Sequence, residues 1–230
     1  MTETTNLIFA GVGGQGVLLI AELTALAAVR AGYDVKQTEV HGVSQRGGSV
    51  ESHVRFGLEV HSPLVQRGQA DVVVGLEKLE GLRYASYLRM AAARSRGPLR
   101  VADSRWPIAA EGQPSPTSRR PSAEGILLVN DYEIIPGSVA NAAEHYPHHA
   151  LDFLRDKGVA VLALPASERA NDLGDGRMAN MILLGALAAL LDLPDGVWPE
   201  TLRARLPARR VDANWRAFQV GWELAAVPVS

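Results

Sequence analysis

The chain has 230 residues, 47% of them hydrophobic, and a formal net charge of −2 from 23 basic and 25 acidic side chains. That length suits one α/β domain with a sizeable core, and the near-neutral balance offers no basic stripe for nucleic acid. Cysteine is absent, which excludes disulfides and points any thiolate-held iron–sulfur cluster to another chain. The opening residues Met1-Thr2-Glu3-Thr4-Thr5-Asn6 lack a positive n-region, and no apolar run is long enough to span a bilayer, so the sequence predicts a cytoplasmic protein with no membrane contact. The six histidines show no HExxH or similar spacing, and His148-His149 reads as a solvated helix start rather than a metal site.

In chain order, Leu7-Ile8-Phe9-Ala10 is a short apolar strand that runs into a glycine cluster. Val17, Leu18, Ile20, Ala21, Leu23, Thr24, Ala27 and Ala28 then recur at helical spacing, and Gly32 closes that helix. Strand, glycine turn and helix in this order open a doubly wound α/β unit. Residues 33–40 read as a second strand. Residues 49–56 alternate, with Val50, Ser52, Val54 and Phe56 on one face and Glu51, His53 and Arg55 on the other. Gly57-Leu58-Glu59 reads as a hairpin turn returning through Val60 and His61.

The β-branched run over 70–76 is a buried central strand, with Glu77 and Glu80 at its end, where open α/β sheets place ligand-binding residues. A helix is expected over 79–90. From 91 to 125 the pattern collapses, and the Pro/Ser/Arg-rich stretch 112–121 reads as a surface loop. Further strands are expected over 126–130 and 159–164, with helices over 150–157, 178–191 and 211–226. The fold class is therefore α/β: a doubly wound, mostly parallel sheet with an antiparallel hairpin, Rossmann-like. One domain is expected over 1–230, with a loop insertion at about 92–125.

Two clusters carry possible chemistry. Gly11-Val12-Gly13-Gly14-Gln15-Gly16 satisfies GxGxxG: glycines permit a tight turn, and the helix start behind them favours an anion. A dinucleotide site expects an acidic residue about twenty positions on, and Glu39 follows Gly16 by 23. Tight strand-to-helix packing explains the same glycines without any ligand. The second cluster runs Glu39-Val40-His41-Gly42-Val43-Ser44-Gln45-Arg46-Gly47-Gly48-Ser49-Val50. A guanidinium beside glycine N–H groups suits phosphate or carboxylate, while a loop with Arg46 simply solvated is the plain alternative.

Together the two clusters resemble the γ domain of pyruvate and other 2-oxoacid:ferredoxin oxidoreductases. The resemblance continues through Ser52-His53-Val54-Arg55-Phe56-Gly57 and the 70–77 strand. Val129-Asn130 with Ile134-Ile135-Pro136, Tyr146-Pro147 and the helix starting at Asn180-Met181-Ile182 are similar to the indolepyruvate β-subunit branch. Nearly the whole chain is covered, apart from roughly 92–125.

The resemblance implies a subunit of an enzyme that oxidatively decarboxylates a 2-oxoacid, such as indolepyruvate or another aryl-pyruvate, with coenzyme A. Thiamine diphosphate and iron–sulfur clusters would lie on a large partner subunit, with ferredoxin as electron acceptor through the complex. This chain would carry no cofactor of its own and would be inactive alone. The resemblance places Ser44, Gln45, Arg46, Gly47 and Gly48 on the coenzyme A side, with Arg46 at a phosphate and Glu39 orienting that loop. It places Gly11, Gly13, Gly14, Gln15 and Gly16 towards the partner and its cofactor. Glu77 and Asn180 are further candidates at this site, and for each a helix cap or an internal hydrogen bond is the favoured role. The competing functions are a stand-alone nucleotide-binding oxidoreductase and a non-catalytic interaction protein with this fold. Trp198, Trp215, Phe218 and Trp222 gather near the C-terminus, where core packing is favoured over an interface.

Overall fold

The computed structural model describes residues 4–41, 48–90, 124–135 and 145–226. β1 (Thr5–Val12) is the central strand, and its side chains alternate so that Leu7 and Phe9 enter one apolar layer and Ile8 the other. α1 (Val17–Arg30) follows, then β2 (Asp34–His41) and β3 (Ser49–Gly57). β4 (Val72–Gly75), α2 (Lys78–Tyr84), a short 3-10 turn, β5 (Ile126–Asn130), α3 (Ala150–Asp156) and β6 (Ala160–Leu164) complete the sheet. α4 (Ala166–Asp172), α5 (Ala179–Leu190), α6 (Val197–Arg205) and α7 (Ala208–Ala226) close the chain.

The six strands lie in the order β2-β3-β1-β4-β5-β6. β1, β4, β5 and β6 are mutually parallel, while β3 runs antiparallel to both β1 and β2. One face is covered by α1, α4, α5, α6 and α7, the other by α2, the 3-10 turn and α3. Helices on both faces make the fold doubly wound, as expected.

α1 is bounded at each end by backbone that favours glycine. Its N-cap, Gly16, has φ 85. At the other end Gly32 has φ 88, its N–H bonds to Val29 O, and Tyr33 N–H bonds to Ala28 O. That double bond is a Schellman stop. α5 and α7 touch backbone to backbone: a Cβ on Gly185 would stand 1.8 Å from Phe218 O, and one on Gly221 would stand 1.8 Å from Ile182 O. Trp198 and Phe218 are buried beside this contact with Trp215 stacked on Phe218, so the aromatics do belong to the core.

Three local expectations change. No strand returns after Gly57; the antiparallel pairing comes from β3 with β1 and β2. Residues 58–64 are tied back by side chains instead, with Val60 N–H donating to Asp34 Oδ2 and Arg55 donating to Ser62 O and Leu64 O. The helix expected over 79–90 stops at Tyr84 and tightens into a 3-10 turn over Ala85–Tyr87, after which Leu88 is extended and bridges Ala70. α4 and α6 form where the sequence reading placed no element. Of the segment 92–125, only residues 124 and 125 lie among the described residues.

Candidate functional site

The C-terminal ends of β1, β4 and β5 meet the starts of α1, α2 and α4 along one edge of the sheet, and α1 and α2 leave towards opposite faces. In an open α/β sheet such a switch point is where ligands bind.

The glycine turn at this edge is closed by its own residues. Gln15 folds back so that its Oε1 accepts the Val12 N–H at 2.7 Å, and its Nε2 donates to Leu76 O. Gln15 N–H bonds to Val12 O, and Gly13 N–H bonds to Gly48 O at 2.9 Å. Three N–H groups of the turn are therefore engaged within the protein and are not offered to a pyrophosphate. Gly11 is needed for packing, because a Cβ there would lie 2.8 Å from Gln15 Oε1 and Val17 Cγ2. Gly14 differs: its φ is 103 and a Cβ would meet nothing within 4 Å among the described residues, so it needs glycine for backbone conformation rather than for packing against them. At Gly16 a Cβ would fall 2.2 Å from the Asn180 amide nitrogen.

Ser44, Gln45, Arg46 and Gly47 lie outside the described residues; Gly48 is described, and its carbonyl anchors the far end of that loop to Gly13. Glu39 is exposed on β2, the edge strand. β3 intervenes between β2 and β1: Glu39 pairs with Ser52, which pairs with Phe9, so Glu39 is two strand spacings, roughly 10 Å, from β1 and level with Phe9 rather than with the glycine turn. A dinucleotide fold puts its acidic residue on the strand beside β1. The geometry opposes that use of Glu39.

Glu77 follows β4 and caps α2: its carboxylate accepts the Leu79 N–H at 3.0 Å and the Glu80 N–H. Burial pushes its carboxyl above the ordinary range against the pull of these donors. Its expected role as a helix cap is thus observed. Glu80, also buried, binds Ser49 Oγ and Arg83 at 2.5 Å each. Tyr84 completes this group through bonds to Glu51 and Ser49, and burial first, then Glu51, pushes its phenol well above the usual value. On the opposite side of Glu77, Lys78 pairs with Asp131 and Glu133, and Glu133 bonds His148. The Tyr146 hydroxyl is buried near Glu77 and Glu133 without a hydrogen-bond partner among the described residues.

Asn130, at the end of β5, was singled out only as part of the resemblance. Its Nδ2 donates to Leu76 O and Ser167 Oγ, and its Oδ1 accepts the Ser167 N–H. Leu76 O thus receives both Gln15 and Asn130, which ties β1, β4, β5 and the start of α4 together. The signal for this role was an asparagine closing an apolar strand. Asn180 shows neither of its two expected roles: among the described residues its side chain caps no helix and makes no hydrogen bond. Among the described residues no group of three or more His, Asp or Glu side chains is placed to hold a metal.

A profile of the family described as pyruvate ferredoxin/flavodoxin oxidoreductase matches residues 6–94 and 116–224. The chain is 33% identical over 227 residues to indolepyruvate oxidoreductase subunit IorB of Thermococcus kodakarensis, covering 96% of this chain and 95% of that protein. It is 33% identical over 224 residues to the protein of the same description from Archaeoglobus fulgidus, covering 96% and 94%. Its fold matches the keto/oxoacid ferredoxin oxidoreductase gamma subunit from Geobacter sulfurreducens with a TM-score of 0.61 at 22% identity, covering 96% of this chain and 98% of that one. The 2-oxoglutarate:ferredoxin oxidoreductase from Magnetococcus marinus, solved with 2-oxoglutarate, coenzyme A and succinyl-CoA bound, matches with a TM-score of 0.65 at 19% identity, covering all of this chain and 32% of that one.

Proposed function

The chain belongs to the pyruvate ferredoxin/flavodoxin oxidoreductase family, and from that membership we propose that it is the smaller subunit of a thiamine-diphosphate-dependent 2-oxoacid:ferredoxin oxidoreductase acting on indolepyruvate or other aryl-pyruvates. The observation that carries this reading is the match to the IorB subunits, 33% identical across nearly the full length of both chains. Thiamine diphosphate on the partner supplies the carbanion chemistry, and the partner's iron–sulfur clusters pass electrons to ferredoxin. A chain with no cysteine suits the cluster-free side of that division.

This chain's part is to wall the site. The edge bearing Gly11, Gly13, Gly14, Gln15 and Gly16 faces the partner, and Gly14, with no described residue within 4 Å of a Cβ, lets another backbone or ligand approach closely. Ser44, Gln45, Arg46, Gly47 and Gly48 form the coenzyme A-facing loop, with Arg46 at a phosphate. Glu39, exposed beside the loop's start, is kept as its orienting residue. Residues 1–230 form one γ-type domain with an insertion at about 92–125; the family match leaves out 95–115, which is consistent with that division. No helix among the described residues is long and apolar enough to cross a membrane. The proposed complex works in the cytoplasm.

Anaerobic purification of the tagged chain from its own cell, with mass spectrometry of what accompanies it, tests the reading. A large cysteine-rich, thiamine-binding subunit is expected, and the pair should reduce ferredoxin with indolepyruvate and coenzyme A. Repeated recovery of the chain alone would overturn the assignment.

A further inference from the structure

Asn180 stands in the first turn of α5 and is 8% exposed. Among the described residues its side-chain amide makes no hydrogen bond and caps no helix. The residue is buried as a whole, yet neither amide atom is among the polar atoms fully closed off from solvent, so the amide keeps room for an outside partner. Its nitrogen lies 2.2 Å from where a Cβ on Gly16 would stand, so the amide rests directly on the N-cap of α1. α1 has 14 residues, its N-cap has no side chain to accept from the helix, and its first turn contains no acidic residue. The first N–H groups of such a helix have no intrahelical acceptor, and its N-terminus carries partial positive charge. An unengaged amide and an uncompensated helix start thus converge at Gly16, two residues after Gly14, where a Cβ would meet nothing within 4 Å among the described residues.

We infer that Asn180 and the N-terminal turn of α1 together bind an anionic oxygen group of a ligand, with the Asn180 amide donating beside the helix N–H groups. The N–H groups of Val12, Gly13 and Gln15 are engaged elsewhere, which moves the recognition from the glycine turn proper to the helix start and Asn180. The inference deepens the proposed role of this edge and rests on it for the identity of the ligand. A phosphate of coenzyme A and the carboxylate of the 2-oxoacid share the required chemistry. The absence of an acidic residue from the first turn of α1 suits either.

The test uses the full chain, isotopically labelled, titrated separately with inorganic pyrophosphate and with indolepyruvate while its amide resonances are followed by NMR. One of the probes should shift the Asn180 side-chain signal together with the backbone signals of Leu18 and Leu19. Asn180→Asp keeps the shape but places a carboxylate against the ligand, and should weaken binding about tenfold or more. Gly16→Ala should do the same by displacing the amide. If Asn180→Asp lowers the melting temperature, Asn180→Ala removes the donor without adding charge and should give the same loss of binding. A response to pyrophosphate alone assigns the phosphate, and a response to indolepyruvate alone assigns the carboxylate. If neither probe moves these signals, or the variants bind as the wild type does, the inference is overturned. Failure of the family-level reading is seen separately, as the absence of a partner in the purification, and leaves this titration readable.

Discussion

On the face covered by α1, α5, α6 and α7, Leu7, Phe9, Val54, Val72, Val74 and Leu128 of the sheet join Ile20, Leu23, Met181 and Leu184 in one apolar layer. The opposite face has a smaller apolar cluster around Ile8, Val73, Leu127 and Leu151, and beside it the polar stripe Ser49, Glu51, His53 and Arg55 of β3. A single strand serves both faces: Val50, Val54 and Phe56 pack into the first, while the alternate positions meet Glu80, Tyr84, Val65 and Asn6. The first face is held by close packing and tolerates no added atoms. The second is held by specific polar partners and tolerates no missing ones. The proposed ligand groups lie at the edge where the two faces meet, so each can be disturbed without removing them.

The largest effect should come from the packed face. Gly185→Ala puts a Cβ 1.8 Å from the Phe218 carbonyl, which forces α5 and α7 apart, and about 3 kcal/mol or more of stability should be lost in urea unfolding. A wild-type midpoint would mean that the two helices are not in backbone contact. On the polar face, Glu80→Ala leaves Ser49 and Arg83 without their shared acceptor and should cost about 2 kcal/mol. Glu80→Gln retains an acceptor and should cost clearly less. Equal losses for the two variants would show that volume, and not the hydrogen bonds, is what Glu80 contributes.

The same contrast explains what was legible in the sequence. β1, β5, α5 and α7 were readable because their apolar periodicity is a one-dimensional record of burial on the packed face. The Gly32 stop was readable from its position after a helical run. α4 and α6 are short and only partly apolar, and their stability comes from docking on α5 and α1, which no local pattern records. The alternation in β3 shows a polar face but not what covers it: His53 is 3% exposed, with Tyr87 of the 3-10 turn edge-on to its ring and the Val65 N–H bonded to it. At the candidate edge, Glu77 as a cap was legible from its place before a helix. Gln15 closing its own turn, Asn130 tying β5 to the end of β4 and the start of α4, and Asn180 resting on Gly16 were not, because each depends on contacts between elements distant in the chain. Glu39 matched a dinucleotide spacing, but sequence distance does not show that β3 would insert between β2 and β1.

The smallest effect sharpens the comparison most, because it asks whether the polar stripe is dry. His53 Nδ1 accepts the Val65 N–H at 3.0 Å, so the proton of the neutral ring sits on Nε2, which has no hydrogen-bond partner among the described residues and lies 3.9 Å from Glu51 Oε1. Burial holds the imidazole below its ordinary value of 6.5, with Glu51 acting the other way. A depressed value means that the unfolded chain takes up its proton first as pH falls. The stability from keeping His53 neutral is therefore complete above about pH 6.5 and is lost as the pH drops through the folded value. Glu77, raised by burial, works in the opposite sense and loses its contribution as pH rises, so the informative quantity is variant minus wild type. His53→Gln preserves an acceptor for Val65 and cannot be protonated. Its melting temperature should fall less than that of the wild type between about pH 7.5 and about pH 5. Identical slopes would mean that His53 titrates as it would in water and that the stripe under α2 is wet; a flatter slope in the variant would make burial, rather than pairing with Glu51, the property that governs this face.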